Sequence, residues 1–130
     1  MLKFLGHAGF MYETDKQLLL MDPWMSKSGA FDSSWYQFPS NHEFGDEIRN
    51  IIEKSNKDIY IYISHEHKDH FDVPYLTTLE LEKINFITPK FRRDHVASVL
   101  NKLNPKSVIT PVDSELINID NLEIRLFLDD

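Results

Sequence analysis

Short apolar runs broken by polar punctuation dominate the chain, and their spacing switches between strand-like and helix-like periods. Leu2–Leu5 and Gly9–Tyr12 flank a turn at Gly6-His7 and predict two short strands. Gln17–Met21 is a compact apolar run, read as a buried strand that stops at Asp22-Pro23, where proline has no amide to pair. Ile59–Ile63 alternates β-branched and aromatic residues and predicts a strong strand. Between these two strands, Trp24 to Phe44 has no period. It sets Trp24, Phe31, Trp35, Tyr36, Phe38 and Phe44 among serine, glycine and proline, a length and composition that suggest a functional segment.

Helical spacing begins with Ile48, Ile51 and Ile52, which predict a helix over Asp46–Lys54 with Asp46 as its cap. Pro74 is well placed to open a second helix reaching Glu82. A third, Arg92–Asn104, carries Val96, Val99, Leu100 and Leu103 on one face. Strands are expected at Ile84–Thr88 and Lys106–Thr110, and Leu116–Ile119 and Leu122–Leu128 pair as a hairpin across Asp120-Asn121. The order predicts an α/β fold, a mixed sheet with flanking helices. The chain has 130 residues, room for one domain, and shows no repeat or linker.

Composition narrows the chemistry. A net charge of −7 disfavours nucleic acid as a partner. It leaves open an anionic small-molecule substrate, because a bound metal would dominate the local field. There is no cysteine, so neither disulfides nor thiolate ligands are available, and any metal must be held by imidazole and carboxylate. The N-terminus lacks the charged-then-apolar pattern of a signal peptide. No apolar run reaches the roughly 20 residues of a membrane span, so a cytoplasmic location is expected.

Ser64-His65-Glu66-His67-Lys68-Asp69-His70 follows the predicted Ile59–Ile63 strand directly. At this composition an H-x-H-x-D-H string arises by chance roughly once in a thousand such chains, so the signal is specific. His65 and His67 are two apart in an extended segment, and their rings leave on the same side. Asp69 and His70 come after the backbone begins to turn and can face a second point nearby. Neutral imidazole and carboxylate suit zinc and iron. Two adjacent ions can share a hydroxide and clamp a tetrahedral transition state. An exposed polar turn is the plain alternative, but three clustered histidines would repel on protonation and gain nothing structurally.

Ile59–His70 resembles the signature strand and loop of the metallo-β-lactamase superfamily. Leu5-Gly6-His7-Ala8-Gly9-Phe10 is similar to its opening strand and turn, and Leu18–Pro23 to its second motif, an aspartate ending a buried strand. With Asp22-Pro23-Trp24 and the aromatic stretch Phe31–Pro39, these segments resemble one branch. It includes L-ascorbate-6-phosphate lactonase, N-acyl-phosphatidylethanolamine phospholipase D and the CMP-N-acetylneuraminate hydroxylase-like proteins. The resemblance implies the N-terminal half of a four-layer αββα sandwich, with residues 1–130 a partial domain whose C-terminal half is absent. It implies a metal-dependent hydrolase of esters, lactones or phosphodiesters, with two divalent ions, zinc first and iron or manganese as alternatives. The ligands carried over are His65 and His67 for one ion and Asp69 and His70 for the other, with Asp69 also handling the proton. The family's further ligands, a histidine, an aspartate and a last histidine, have no counterpart here. After His70 only His95 remains, inside a predicted helix. The fragment alone is therefore expected to be inactive, and to self-associate or pair with the missing half.

The remaining candidates surround the motif. Asp22 is expected to hydrogen-bond the metal loop, or simply to form a turn. His7 is placed at the rim of the site, orienting substrate or supporting the loop. Trp24, Trp35 and Tyr36 are read as walls of a substrate pocket, or as packing over the sheet edge. His42 and His95 read as surface residues, and Arg92 and Arg93 as a solvated helical turn. Two alternatives to hydrolysis stand beside this reading: an iron-dependent or partner-assisted redox member of the same fold, and a non-catalytic oligomerising half-domain.

Overall fold

The computed structural model describes residues 1–128. Asp129 and Asp130 lie outside the described residues. Strands β1 (Leu2–Gly6), β2 (Gly9–Glu13), β3 (Gln17–Met21), β4 (Asp58–Tyr62), β5 (Ile84–Ile87) and β6 (Ser107–Ile109) form one six-stranded sheet in that order. β1, β2 and β3 run antiparallel, and β3 through β6 run parallel. Helices α1 (His42–Lys54), α2 (Val73–Leu76) and α3 (His95–Lys102) lie in the connections. This is the mixed sheet with flanking helices that the sequence predicts. β7 (Leu116–Ile119) and β8 (Leu122–Arg125) form a separate hairpin. Gln17 ties it to the sheet by donating to Asp120 Oδ2 at 3.1 Å.

Alternation along the strands explains the core. Leu18 and Leu20 on β3, Ile59 and Ile61 on β4, and Ile84 and Phe86 on β5 are fully buried. They form one cluster with Ile48 and Ile52 of α1, Tyr75 and Leu76 of α2, and Val96 and Leu100 of α3. The intervening residues point to the other face, where Tyr60 and Tyr62 are half-buried. Its β1–β2 corner is open: Leu2 is 63% and Phe4 58% exposed, and Phe4 stands opposite Phe10 in the register.

The helices depart from the sequence expectations at their ends. α1 begins at His42 rather than Asp46, with Asn41 in the N-cap position, so Asp46 lies inside the helix and caps nothing. Val73–Leu76 replaces the expected helix to Glu82. The Thr77 and Thr78 hydroxyls donate back to the carbonyls of Pro74 and Tyr75, local bonds that compete with continued helix. α3 starts at His95 after Asp94, three residues later than expected. His42, read as a surface residue, is half-buried, and its Nδ1 is sealed from solvent with no hydrogen-bond partner among the described residues.

Topology decides where chemistry can sit. The parallel strands place their carboxyl ends along one edge, the usual ligand-binding edge of such sheets. Asp22, directly after β3, continues the ladder by donating its amide to Tyr62 O at 2.9 Å. Ile63 does the same toward Ile87 O, also at 2.9 Å, before the chain leaves the sheet at Ser64. The β1–β2 turn at His7 reaches the same edge, because Phe10 at its far side pairs with Met21.

Candidate metal centre

The motif loop leaves β4 extended and then turns. His70 and Phe71 both donate their amides to His67 O, at 2.9 and 2.7 Å, which closes the turn after the first two histidines. His65 and His67 project before that turn, with ring centroids 4.7 Å apart. His65 Nε2 and His67 Nδ1 are separated by 3.1 Å. The turn brings the His70 ring back to 4.1 Å from His65. Asp69 is buried, His65 and His70 are half-buried and His67 is exposed.

Asp22 organises this loop from below. One carboxylate oxygen accepts the Ser64 amide at 2.7 Å, and the other accepts the Ser64 hydroxyl. A hydroxyl has one proton, so Ser64 Oγ, 2.8 Å from His65 Nδ1, must accept there. His65 therefore carries its proton on Nδ1 and presents a bare Nε2 to His67. His70 Nδ1 donates to Asp22 Oδ2 at 2.9 Å, which leaves its Nε2 bare and 3.5 Å from Asp69 Oδ2. Burial, with the His70 and His67 rings alongside, holds the His65 imidazole below its ordinary pKa against the opposing pull of Asp22 and Asp69. The neutral form that results is the form that binds metal.

The donor set fits a divalent first-row ion. Bonds of about 2.0–2.1 Å set tetrahedral donors about 3.3 Å apart and octahedral donors about 2.9 Å apart. The separations of 3.1 and 3.5 Å fall close to that range. Imidazole and carboxylate without thiolate suit zinc, iron or manganese.

His7 and the aromatic segment complete the rim. The His7 backbone lies at φ 52°, uncommon for a residue with a β-carbon. Its Nε2 is 2.8 Å from Asp69 Oδ2. Its ring meets the edge of Trp24 at 5.2 Å and stands 6.3 Å from Trp35. Trp24 is buried, whereas Trp35 and Tyr36 are exposed. Asn41 Nδ2 donates to Trp24 O at 2.9 Å and to Leu5 O at 3.0 Å, clamping the aromatic segment to β1. Beside His7 opens a cleft of about 610 Å³, walled by Phe4, Trp24, Trp35, Tyr36 and Phe38, among others. Among the described residues no lysine, arginine, aspartate or glutamate lines it.

The structure thus brings His65, His67, Asp69, His70, His7 and Asp22 to one edge of the sheet. Trp24 and Trp35 pack against His7, and Tyr36 lies on the cleft wall. His95 is exposed and lines a different cavity. Sequence reasoning missed three supporting residues. Ser64 relays Asp22 to His65. Asn41 carries the clamp. Buried Asp72 accepts the amides of Met25 and Ser26, both at 2.8 Å, and of Tyr75 at 3.2 Å. Asp72 was legible in principle, as a helix cap just before Val73-Pro74.

A family profile described as the Beta-lactamase superfamily domain matches residues 1–127. The chain belongs to this family. Among curated relatives, a protein from Mycolicibacterium smegmatis named as a Rieske 2Fe-2S iron-sulfur protein is 30% identical over 110 residues. Two proteins of the same name from strains of Mycobacterium tuberculosis are 33% identical over 110 residues. Each match covers 85% of this chain but only 20% of the relative, so the chain spans about a fifth of the relatives' length. No solved structure matches the chain. A Rieske cluster needs two cysteines and two histidines. This cysteine-free superfamily domain cannot hold one within its own residues.

Proposed function

We propose that this domain is the metal-binding part of a hydrolase acting on an ester, lactone or phosphodiester, with His65 and His67 serving one ion and Asp69 and His70 a second. The observation that supports this most is the pair of bare imidazole nitrogens, His65 Nε2 and His70 Nε2, both fixed in tautomer by the single carboxylate of Asp22. When bound, the ions supply Lewis acidity and an acidified water. Asp69, the buried carboxylate of the loop, takes the proton from the attacking water. Trp24, Trp35 and Tyr36 hold an uncharged, flat or apolar part of the substrate in the cleft. Any anionic group falls to the ions, since the cleft offers no cation. We place the protein in the cytoplasm. Among the described residues no helix is long and apolar enough to cross a membrane.

A second reading is favoured by the relatives' name. Here the same residues hold iron, and an iron-sulfur cluster outside the matched stretch, or on a partner, supplies electrons. Metal analysis of anaerobically purified protein separates the two. Zinc or manganese, with turnover of ester, lactone or phosphodiester substrates that stops on chelation, supports hydrolysis. Iron that changes its spectrum on reduction, without hydrolysis, supports the redox reading. Protein without bound metal, and taking up none, contradicts both.

A further inference from the structure

Three donor atoms, rather than two, converge at the second half of the motif. His7 Nε2 lies 2.8 Å from Asp69 Oδ2, and His70 Nε2 lies 3.5 Å from the same oxygen. Among the described residues His7, Asp69 and His70 form a group whose donor atoms all lie within 4.8 Å of one another. His7 comes from the β1–β2 turn, 62 residues away in sequence from Asp69.

Two features separate His7 from a surface histidine that merely touches a carboxylate. Its ring is held in place, edge-on to Trp24 and 5.2 Å from the His70 ring, on a backbone at φ 52°. Such strain persists where surrounding structure enforces it, often at functional sites. The other feature is electrostatic. Asp22 accepts a hydrogen bond from His70 Nδ1, so the Nε2 lone pair of neutral His70 faces a carboxylate oxygen. Two such atoms face each other favourably when a proton or a metal ion lies between them, and His7 Nε2 borders the same position.

The structure assigns His7 as a third metal ligand: His7, Asp69 and His70 together bind one divalent first-row ion through two imidazoles and one carboxylate. This rests on the reading of the loop as a metal centre and extends it. Such a donor set leaves positions open for water or substrate, and is used by non-haem iron as well as suiting zinc and manganese. It also ranks the two half-sites. The His65–His67 pair offers two neutral donors from this chain, whereas the His7 trio offers three donors, one of them anionic. The first equivalent of metal therefore goes to the trio. Because His7 also lines the aromatic cleft, that ion sits at the mouth of the cleft.

Co²⁺ is the probe. The metal-free chain is titrated by calorimetry and visible absorbance as wild type, His7→Gln, His7→Asn and His67→Ala. Glutamine keeps an N–H donor that would hold Asp69 if His7 were only a support, but it has no imidazole. Asparagine tolerates the left-handed backbone and guards against misfolding. Loss of a supporting hydrogen bond costs about 10–100-fold in metal affinity, so loss of a ligand is expected to cost more than about 100-fold. Both His7 variants should weaken the first Co²⁺ equivalent beyond that bound, while His67→Ala leaves it unchanged. The wild-type complex should show two paramagnetically shifted imidazole N–H signals, and His7→Asn one. Either His7 variant binding the first equivalent within the bound, or His67→Ala losing it, overturns the assignment while leaving the wider metal reading intact. A wild type that binds no Co²⁺ overturns both.

Discussion

Asp22 receives three hydrogen bonds, from the Ser64 amide, the Ser64 hydroxyl and His70 Nδ1. Through them one carboxylate sets the tautomers of two histidines on opposite halves of the motif. Asp22→Ala should therefore lower metal affinity at both half-sites, by about 10–100-fold each. Competition with a chromophoric chelator would measure this, and an unchanged affinity would show that the tautomers are set elsewhere. His65 gives a pH prediction. Its folded pKa lies below the ordinary histidine value, chiefly through burial. The folded state then binds fewer protons than the unfolded one, so its stability is full above the ordinary value and declines as pH falls through it toward the lowered one. Metal-free protein should lose thermal stability between neutral pH and pH 5, and His65→Gln should lose less over the same interval. Equal losses would place the proton uptake on other groups. The H-x-H-x-D-H string itself was legible because its spacing is local. The His7–Asp69 contact was not, since it depends on the register that brings the β1–β2 turn alongside β4. Ser64 escaped notice because only coordinates show where its one hydroxyl proton goes.

Strands were easier to read than helices. β3 and β7 match their expected limits, because a period-two or continuously apolar run has few alternative conformations. The helix ends failed where side chains intervene. Glu43 and Phe44 lie inside α1, so the aromatic segment ends at Asn41, whose side chain clamps strands and loop instead of capping. Gly45 was silent in sequence. It packs in α1 where a β-carbon would come within 3.2 Å of Met25 Cβ, and its carbonyl accepts the Tyr75 hydroxyl at 2.8 Å. Asp72 links these parts by capping α2 and holding residues 25–26 through their amides. A cap is worth about 0.5–2 kcal/mol, and hydrogen bonds to a charged group about 1.5–3 kcal/mol. Asp72→Ala should cost about 3 kcal/mol in urea unfolding. A loss under about 1 kcal/mol would mean that water replaces these contacts at little cost.

Helices pack on one face of the six-stranded sheet, while Leu2, Phe4 and Phe10 are exposed at its β1–β2 corner. An open apolar surface of this kind promotes association. The chain should therefore run as a dimer or larger in light scattering, and Phe4→Lys should shift it toward monomer. A wild type that is monodisperse and monomeric at high concentration would contradict this. The α/β class and the succession of elements were legible because apolar period and connection length constrain them together. The convergence of two loops and one turn on a single edge was not, since it follows from which strands run parallel. The proposed metal centre rests on that convergence of side chains scattered between His7 and His70. Anomalous X-ray diffraction from crystals grown with Zn²⁺ examines it most directly. Density peaks within bonding distance of His65 Nε2 and His67 Nδ1, and of Asp69 and His70 Nε2, are the predicted result. Crystals in which these side chains diverge into solvent, with no peak between them, would contradict it.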